Sequence, residues 1–244
     1  MKLLILITIA SISLSKELNA CYKAYFFIFP VAKSCITYRI EGNLMKISSE
    51  IKTVGVGSIA HKVHNRGGAI IKLDSLEPKH FFFKQKEGRY RRDMNYMFNI
   101  NKNKIDMHVI KYKGTTENIE REYKKSLTYD GYNDPFTASI KLYLEAGSKK
   151  KGYIFLFYDG RKYKIPYFLI GEEEVEGRKT WYIEVEPNIK TGGLLKPEGK
   201  WYLWIDKEMK IPIKMELEFI IGSTLVKLTE IKGNKLLFRS IQQK

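Results

Sequence analysis

A glycine-rich segment, Gly55-Val56-Gly57-Ser58-Ile59-Ala60, has the spacing of the phosphate-binding turn of dinucleotide-binding domains. In those domains the glycines let the backbone approach a pyrophosphate, and a later carboxylate, here Asp74, binds the ribose. The helix that would follow the turn ends by Gly67-Gly68, which is too short to cross a sheet, and the rest of the chain lacks strand–helix alternation. We therefore predict a glycine-permitted bend at a sheet corner and no nucleotide cofactor.

Two histidines, His61 and His64, are spaced so that one helical face would carry both imidazoles. Zinc needs three or four ligands, and no further histidine or carboxylate completes a known spacing, so we predict surface histidines and no metal. The run Glu172-Glu173-Glu174 offers carboxylates for acid–base chemistry, but such a run after a strand is typical of a solvated turn. No G-x-S-x-G nucleophile motif occurs, and neither cysteine has an activating context. The chain is predicted not to be an enzyme, with no catalytic residue and no cofactor.

The first twenty residues have the pattern of a secretory signal peptide. Lys2 precedes an apolar run from Leu3 to Leu14, and a small residue stands at Ala20. The run is shorter than the about 20 apolar residues that a membrane-spanning helix needs. We predict an exported protein with a signal peptide at 1–20 and a single domain at 21–244. Its location would be the periplasm, or the envelope as a lipoprotein if Cys21 is acylated.

The chemistry at the leader's end has two alternatives. Leu18-Asn19-Ala20-Cys21 resembles a lipobox, but Lys16 and Glu17 interrupt the apolar region before it. Ordinary cleavage after Ala20 fits the residues equally well, and both alternatives stay open. A disulfide between Cys21 and Cys35 suits an oxidising compartment. A hairpin turning near Pro30 would place Cys21 opposite a residue near position 40, however, so this register does not favour the bond.

The chain is strongly basic, with 43 lysines and arginines against 27 acidic residues and a formal net charge of +16. Such a charge attracts anionic surfaces. In an exported protein these would be a membrane or a glycan, and we predict no nucleic-acid partner. The clusters Lys149-Lys150-Lys151 and Arg89-Tyr90-Arg91-Arg92 are also explained as solubilising residues on strand edges. The sequence does not indicate an oligomeric state.

Alternating apolar and polar residues dominate the second half of the chain. Ile213, Met215, Leu217 and Phe219 alternate with charged residues, as in a half-buried strand, and Trp181–Val185 follows the same period. Asp159-Gly160 suits a tight hairpin turn between two such runs. The segment Tyr153–Tyr158 is apolar on both faces, so we predict a central strand with both sides covered. Strands joined by short turns predict an antiparallel meander.

One convincing helix interrupts the strands. Asp134 can cap its amino terminus, Pro135 suits the first helical position, and Gly147 ends it. Phe136, Ile140, Tyr143 and Leu144 then form an apolar stripe. We predict that this helix covers a concave sheet face, with a second short helix near Ser58–His64.

The order and spacing of several landmarks resemble the bacterial exported proteins grouped as domain of unknown function 3108. The landmarks are Asn133-Asp134-Pro135-Phe136-Thr137-Ala138, Asp159-Gly160-Arg161-Lys162-Tyr163, Gly171-Glu172, Val185-Glu186-Pro187, Gly192-Gly193-Leu194, Trp204-Ile205-Asp206, Ile211-Pro212-Ile213 and Gly222-Ser223, with Phe27–Ala32 as a first hairpin. The resemblance implies a signal peptide, a mainly β fold and no established activity. More loosely, the architecture is similar to the half-open barrels of periplasmic lipoprotein carriers. We therefore predict a curved antiparallel sheet packed on one principal helix, with few others.

These observations predict a cell-envelope protein that binds an apolar or amphipathic, lipid-like ligand on a concave sheet. The aromatic content of 13% and the single covering helix favour this hypothesis. Core packing explains the candidate lining residues equally well. The alternatives are an interaction module that docks anionic envelope components and, less favoured, an enzyme acting on glycans or lipids. The candidate ligand-binding residues are Phe136, Ile140, Tyr143, Phe155, Phe157, Trp181 and Trp204.

Overall fold

The computed structural model describes residues 16–190, 197–219 and 222–242. Its strands are β1 (Glu17–Phe26), β2 (Phe29–Glu41), β3 (Leu44–Thr53), β4 (His64–Lys72), β5 (Glu77–Glu87), β6 (Tyr90–Asn99), β7 (Lys104–Tyr112), β8 (Ile119–Thr128), β9 (Lys151–Tyr158), β10 (Arg161–Val175), β11 (Arg178–Val185), β12 (Pro197–Asp206), β13 (Pro212–Phe219) and β14 (Gly222–Gly233). Its α-helices are α1 (Val56–Ala60), α2 (Pro135–Glu145) and α3 (Arg239–Gln242). A short 3-10 turn occupies Ile100–Lys102.

All fourteen described strands form one antiparallel sheet in the order β8-β7-β6-β5-β4-β3-β2-β1-β14-β13-β12-β11-β10-β9. Two meanders, β1 to β8 and β9 to β14, are joined where β1 pairs with β14. The predicted antiparallel fold with one principal helix is confirmed. The sheet curls but does not close by strand pairing, which leaves β8 and β9 as its edges.

The sheet overlaps itself at one edge. The predicted central position of Tyr153–Tyr158 is wrong, because β9 is an edge strand. Near its carboxyl end β9 is nevertheless covered on both faces. Leu156 belongs to the core beneath α2, whereas Phe157 packs against Tyr96 of β6 with the ring centroids 5.3 Å apart. A strand enclosed in this way needs apolar residues on both sides, although Tyr153 farther back is exposed.

The two meanders are also joined through Asn133, just before α2. Its main-chain N–H donates to the carbonyl of Phe155, and its carbonyl accepts from Phe157 N–H. Asn133 therefore pairs with the free edge of β9 as a single parallel bridge to Leu156. This bridge fixes the start of α2 against β9.

Helix α2 has the predicted caps. Asp134 accepts hydrogen bonds from the main-chain N–H groups of Phe136 and Thr137, and Pro135 occupies the first turn. Gly147 follows the helix at φ +84, with the Trp181 ring where a Cβ would lie. Five of its residues are buried, so the helix lies inside the curl of the sheet rather than on its surface.

Cys21 and Cys35 form a disulfide between β1 and β2, so the expectation of an unfavourable register is wrong. The hairpin turns at Phe27-Ile28 and not near Pro30, which places the two cysteines directly opposite each other. An acyl thioether on Cys21 and this disulfide exclude one another, because both need the same sulfur atom. The expected leader boundary after Ala20 falls inside β1, where Leu18 and Ala20 are buried in the core.

Candidate functional site

A groove of about 370 Å³ separates α2 from the concave face of the sheet. Its walls come from both meanders, with Phe81 and Phe83 of β5 on one side and Leu203 of β12 and Leu217 of β13 on the other. Its lining is largely apolar because the inward positions of these strands carry aromatic and aliphatic residues. Helix α2 contributes Ala138 and Ser139, which are too small to fill the space.

The groove reaches one rim of the curled sheet. Glu87, Tyr158 and Val185 line it and are the last residues of β5, β9 and β11. In an antiparallel sheet these ends share a rim with the end of β1 and the start of β2. We call this edge of the fold the mouth rim.

Buried polar side chains line the groove near the mouth rim. Glu87 accepts hydrogen bonds from the side-chain amides of Asn65 and Gln85, each at 2.8 Å. The Asn65 side-chain oxygen in turn accepts from the main-chain N–H of Lys86. All three side chains are buried, so an apolar cavity has a hydrogen-bonding end. Buried groups of this kind fix the orientation of a ligand.

Arg92 extends this polar cluster to the opposite meander. Its guanidinium donates to Gln85 Oε1 at 3.0 Å and to Asp159 Oδ1 at 2.6 Å. Its side chain is 6% exposed, whereas that of Asp159 is 22% exposed. Burial lowers the pKa of Arg92, but Tyr158 and Asp159 raise it by more, so the guanidinium stays charged. The ion pair therefore links β6 to the β9–β10 turn across the gap in the sheet.

The cap of α2 contains a fully buried carboxyl group. Burial raises the pKa of Asp134 to about 6, although hydrogen bonds from Thr137 and Phe136 oppose the shift. The Thr137 hydroxyl donates to Asp134 Oδ2 at 2.5 Å. These contacts hold the helix start and leave Asp134 outside the groove.

A second cavity, of about 580 Å³, lies on the other side of α2. It is more polar than the groove, because Lys141, Glu145, Lys149 and Lys151 line it. The Lys141 ammonium donates to Asn133 Oδ1 at 2.9 Å, and burial lowers its pKa. This cavity opens away from the polar cluster around Glu87.

The structure places two of the seven candidate lining residues in the groove, Phe136 and Tyr143. Ile140 points into the core formed with β1, β2 and β3, since it lies on another face of α2. Phe155 lines the second cavity, and Phe157 is enclosed where the sheet overlaps.

Neither candidate tryptophan lines the groove. Trp181 covers Gly147 at the end of α2, with the Lys207 ammonium 3.8 Å from its ring centroid. Trp204 is buried in the same core cluster as Ile140 and is stacked on Tyr182 with the ring centroids 4.7 Å apart. Its indole N–H donates to Glu173 Oε2 at 2.6 Å.

Sequence reasoning missed the polar residues of the groove. Phe81, Phe83, Gln85 and Glu87 occupy alternate positions of β5 and face inward together. Alternate residues of β5 that begin with two phenylalanines predict the inward face of this strand, and this pattern could have identified Gln85 and Glu87. Nothing comparable points to Arg92, which the sequence groups with exposed basic neighbours.

The fold separates the residues that the candidate chemical motifs would need to bring together. Helix α1 has only five residues, and Asp74 forms an ion pair with Lys72, so the glycine motif has no ribose-binding partner. His64 contacts Glu50 at 2.7 Å, whereas His61 lies against Gly88. Among the described residues no three potential ligands converge on a metal position.

Two further sequence features can be placed. The acidic run Glu172-Glu173-Glu174 lies within β10, so the predicted turn is wrong, although the three residues are exposed as predicted. None of the helices in the described parts of the chain is long and apolar enough to cross a bilayer.

Comparison with solved structures supports the fold. A β-barrel-like protein of the domain of unknown function DUF1849 from Brucella abortus superimposes with a TM-score of 0.59 at 11% identity, covering 90% of this chain and 98% of the other. Two other structures are less similar. MucB has a TM-score of 0.33 at 9% identity, covering 89% of this chain and 53% of the other. An outer membrane lipoprotein-sorting protein domain from Vibrio parahaemolyticus has a TM-score of 0.26 at 12% identity, covering 89% of this chain and 85% of the other.

The comparison with curated proteins found no match. The family model described as "Protein of unknown function (DUF3108)" matches residues 21–229, which span the disulfide, both meanders and α2. The match covers most of the chain and includes the segments that build the groove. The chain therefore belongs to this family.

Proposed function

We propose that this protein is a non-enzymatic binding protein of the cell envelope, which holds an apolar or amphipathic ligand in the groove beneath α2. The observation that carries the proposal is the combination of an apolar groove of about 370 Å³ with a buried hydrogen-bonding end at Asn65, Gln85 and Glu87. Ligand pockets commonly have volumes of about 300–1,000 Å³ and a few converging polar groups. An amphipathic molecule would place its chain against Phe136 and its polar end near Glu87.

The groove is better suited to binding than to catalysis. Glu87 is the one carboxylate among its described lining residues, and two amides hold it. Acid–base catalysis at a sugar or ester commonly uses two groups with separate roles. A single carboxylate held by amides is typical of a recognition site.

The first test is native mass spectrometry of protein purified from its host envelope, where we expect a co-purified apolar or amphipathic molecule. The second is titration with the fluorescent apolar probe 1-N-phenylnaphthylamine. Ser139→Leu would project a larger side chain into the groove and should weaken probe binding at least about ten-fold, as expected when a bound group loses its space. The absence of both a co-purified molecule and probe binding by the unmodified protein would contradict the proposal.

The matched control is Ser148→Leu. Both serine hydroxyls donate to a main-chain carbonyl of α2, Ser139 to Pro135 and Ser148 to Glu145, but Ser148 is exposed beyond the helix. Probe affinity should change less than about two-fold in the control, as for a surface site. Equal effects of the two substitutions would mean that the probe binds elsewhere.

Export belongs to the same proposal, with a revised cleavage position. The Cys21–Cys35 disulfide is of a kind that persists in oxidising compartments. Cleavage after Ala20 would remove the buried Leu18 from β1, whereas Ser13-Leu14-Ser15 offers small residues at the required positions just before the strand. We place the mature amino terminus at Lys16.

Intact-mass measurement of protein from the host envelope tests this position. A mass for a chain starting at Lys16 with one disulfide supports the proposal. A mass for a chain starting at Cys21, with or without acyl groups, would refute it.

A further inference from the structure

Four consecutive large apolar residues are exposed at the β1–β2 turn, which projects from the mouth rim. Phe27 and Ile28 are 82% and 81% exposed, and Phe26 and Phe29 beside them are also exposed. Phe27 has a φ of +53, a conformation that an aromatic residue rarely adopts. The fold buries little of Phe27 and Ile28, so their exposure needs another explanation.

Helix α1 adds apolar surface beside this turn. It lies against the start of β2, where the Val31 carbonyl leaves no room for a Cβ at Gly57. This contact positions Ile59, which is 87% exposed, and Val56 next to the turn. We call Phe26–Phe29 together with Val56 and Ile59 the apolar tip.

A row of lysines crosses the convex face behind the apolar tip. The strand register pairs Lys52 with Lys33, Lys33 with Lys23, Lys23 with Lys227 and Lys227 with Lys214. Five adjacent strands therefore each place one ammonium group on the same line. We call these five residues the lysine row.

Three members of the lysine row have acidic neighbours. Lys52 lies 3.0 Å from Glu50, Lys214 lies 2.8 Å from Glu216, and Lys227 lies 3.8 Å from Glu176. Lys23 and Lys33, the two members closest along the chain to the apolar tip, have no acidic partner within 4 Å among the described residues.

The spacing between the two features fits a membrane surface. Lys23 precedes Phe26 by three strand residues, which is about 10 Å of chain. The polar headgroup region on each side of a bilayer is about 5–8 Å thick. When the apolar tip enters the acyl boundary, the lysine row lies at the level of the lipid phosphates.

We propose that the mouth rim docks on an anionic phospholipid membrane, with the apolar tip inserted and the lysine row on the headgroups. Charge complementarity favours this partner, because exposed aromatic and aliphatic residues backed by lysines are the features of interfacial membrane binding. The groove reaches the same rim, so docking brings its opening to the lipid surface. The proposal stands independently of what the groove binds.

Flotation with lipid vesicles tests the docking. The protein should bind vesicles of phosphatidylglycerol and phosphatidylethanolamine and should bind phosphatidylcholine vesicles much less. Phe27→Ser with Ile28→Ser should weaken binding to the anionic vesicles at least about ten-fold, because the inserted apolar area is lost. The control Ile170→Ser changes an exposed isoleucine in the middle of β10 and should leave binding unchanged.

The lysine row is tested by Lys23→Gln with Lys33→Gln. Each lysine near an anionic surface strengthens binding about five-fold, so the double substitution should weaken binding to anionic vesicles about 25-fold. Lys102→Gln with Lys104→Gln, at the opposite rim, is the control and should have little effect. Raising the salt concentration should weaken vesicle binding by the unmodified protein and by the control variant more than vesicle binding by the Lys23/Lys33 variant.

Insertion has a direct readout in Phe27→Trp. Its fluorescence should be quenched by brominated phospholipids in anionic vesicles, whereas that of Ile170→Trp should not. Binding to anionic vesicles that the tip and lysine substitutions leave unchanged would overturn the proposal. So would a dimer that forms without vesicles and dissociates on substitution at Phe27, because the apolar tip would then dock on a second copy of this chain.

The substituted residues are exposed, apart from the half-buried lysines Lys23 and Lys104, so the variants should fold and should still bind 1-N-phenylnaphthylamine. Loss of vesicle binding with probe binding retained separates this proposal from the proposed groove function. Loss of probe binding in Ser139→Leu with vesicle binding retained separates them in the other direction.

Discussion

Two polar contacts tie the β9–β10 turn to β6, the ion pair between Arg92 and Asp159 and a hydrogen bond from the Asp159 main-chain N–H to the Tyr96 hydroxyl. We expect Asp159→Asn to destabilise the protein, because the substitution leaves a buried guanidinium without its counter-charge. Breaking a buried ion pair costs about 3–5 kcal/mol, and the partial exposure of Asp159 reduces this to about 2–3 kcal/mol. The asparagine should not strain the turn, since Asp159 has a φ of +52 and asparagine tolerates that conformation.

The measurement is equilibrium unfolding in urea of Asp159→Asn, Arg92→Met and the double variant. Arg92→Met removes the charge and keeps an apolar side chain of similar reach, so Asp159 becomes a partly solvated carboxylate. We expect this variant to lose less stability than Asp159→Asn. The double-variant cycle should give a coupling of about 1–3 kcal/mol between the two residues.

The matched control is the ion pair between Lys162 and Asp130. The two charged atoms are 2.7 Å apart, close to the Arg92–Asp159 distance, but both side chains are well exposed. Asp130→Asn should therefore cost less than about 1 kcal/mol. An Asp159→Asn cost equal to that of Asp130→Asn would refute the reasoning that the buried pair links the two meanders.

Three further predictions concern the hairpin, the helix cap and the helix end. Replacing Cys21 and Cys35 by serine should lower the free energy of unfolding by about 2–3 kcal/mol, because the disulfide closes a loop of 14 residues in the unfolded chain; urea titration with and without reductant measures this. Asp134→Asn removes a group whose pKa is about 6 in the fold and about 4 when unfolded, so stability of the unmodified protein should fall as pH rises from about 4 to 7. Relative to the asparagine variant, the unmodified protein should lose up to about 3 kcal/mol of stability over that range, and an equal pH dependence of both proteins would contradict this prediction. Gly147→Ala should lower the melting temperature, because its Cβ would lie 2.1 Å from the Trp181 ring at a φ of +84.

The sequence predicted correctly those elements that depend on only a few neighbouring residues. The Asp-Gly turn, the cap at Asp134 and the alternation in β13 depend on neighbouring residues alone, and the structure has all three. Strand pairing between the meanders depends on residues about 200 positions apart, such as Cys21 and Glu230, and no local pattern encodes it.

The disulfide shows how one turn changes a register. A proline near the middle of an apolar run predicts a turn, but Pro30 lies within β2, and the chain turns at Phe27-Ile28. Neither of those residues is a usual turn former, and Phe27 adopts a positive φ. A shift of a few residues in the turn moved the partner of Cys21 from position 40 to Cys35. If the apolar tip acts at a membrane, selection for exposed apolar residues explains why this turn lacks glycine or asparagine.

The sequence predicted an apolar surface beneath the helix, but it identified only two of the residues that line the groove. A helix that lies inside a curled sheet buries several of its faces, so its apolar stripe does not indicate which face meets a cavity. Ile140 and Tyr143 belong to the same stripe, yet one is in the core and the other lines the groove. Of the small residues of α2, Ser139 lines only the groove whereas Ala138 lines both cavities, and hydrophobic periodicity does not report such differences in side-chain volume.

The contacts at the overlap of the sheet affect both the stability of the fold and the access to the groove. A barrel closed by strand pairing would seal its interior with a continuous ladder of hydrogen bonds, and opening it would break many bonds at once. Here the β9–β10 hairpin is held by one main-chain bridge at Asn133, by ring contacts of Phe155 and Phe157, by the ion pairs Arg92–Asp159 and Lys162–Asp130, and by a hydrogen bond from Asp159 N–H to the Tyr96 hydroxyl. None of these contacts is a continuous strand ladder, so we expect substitutions that weaken them to loosen the β9–β10 hairpin from β6 without unpairing the rest of the sheet. Tyr158 of that hairpin lines the groove, and a separation there would widen the opening at the mouth rim.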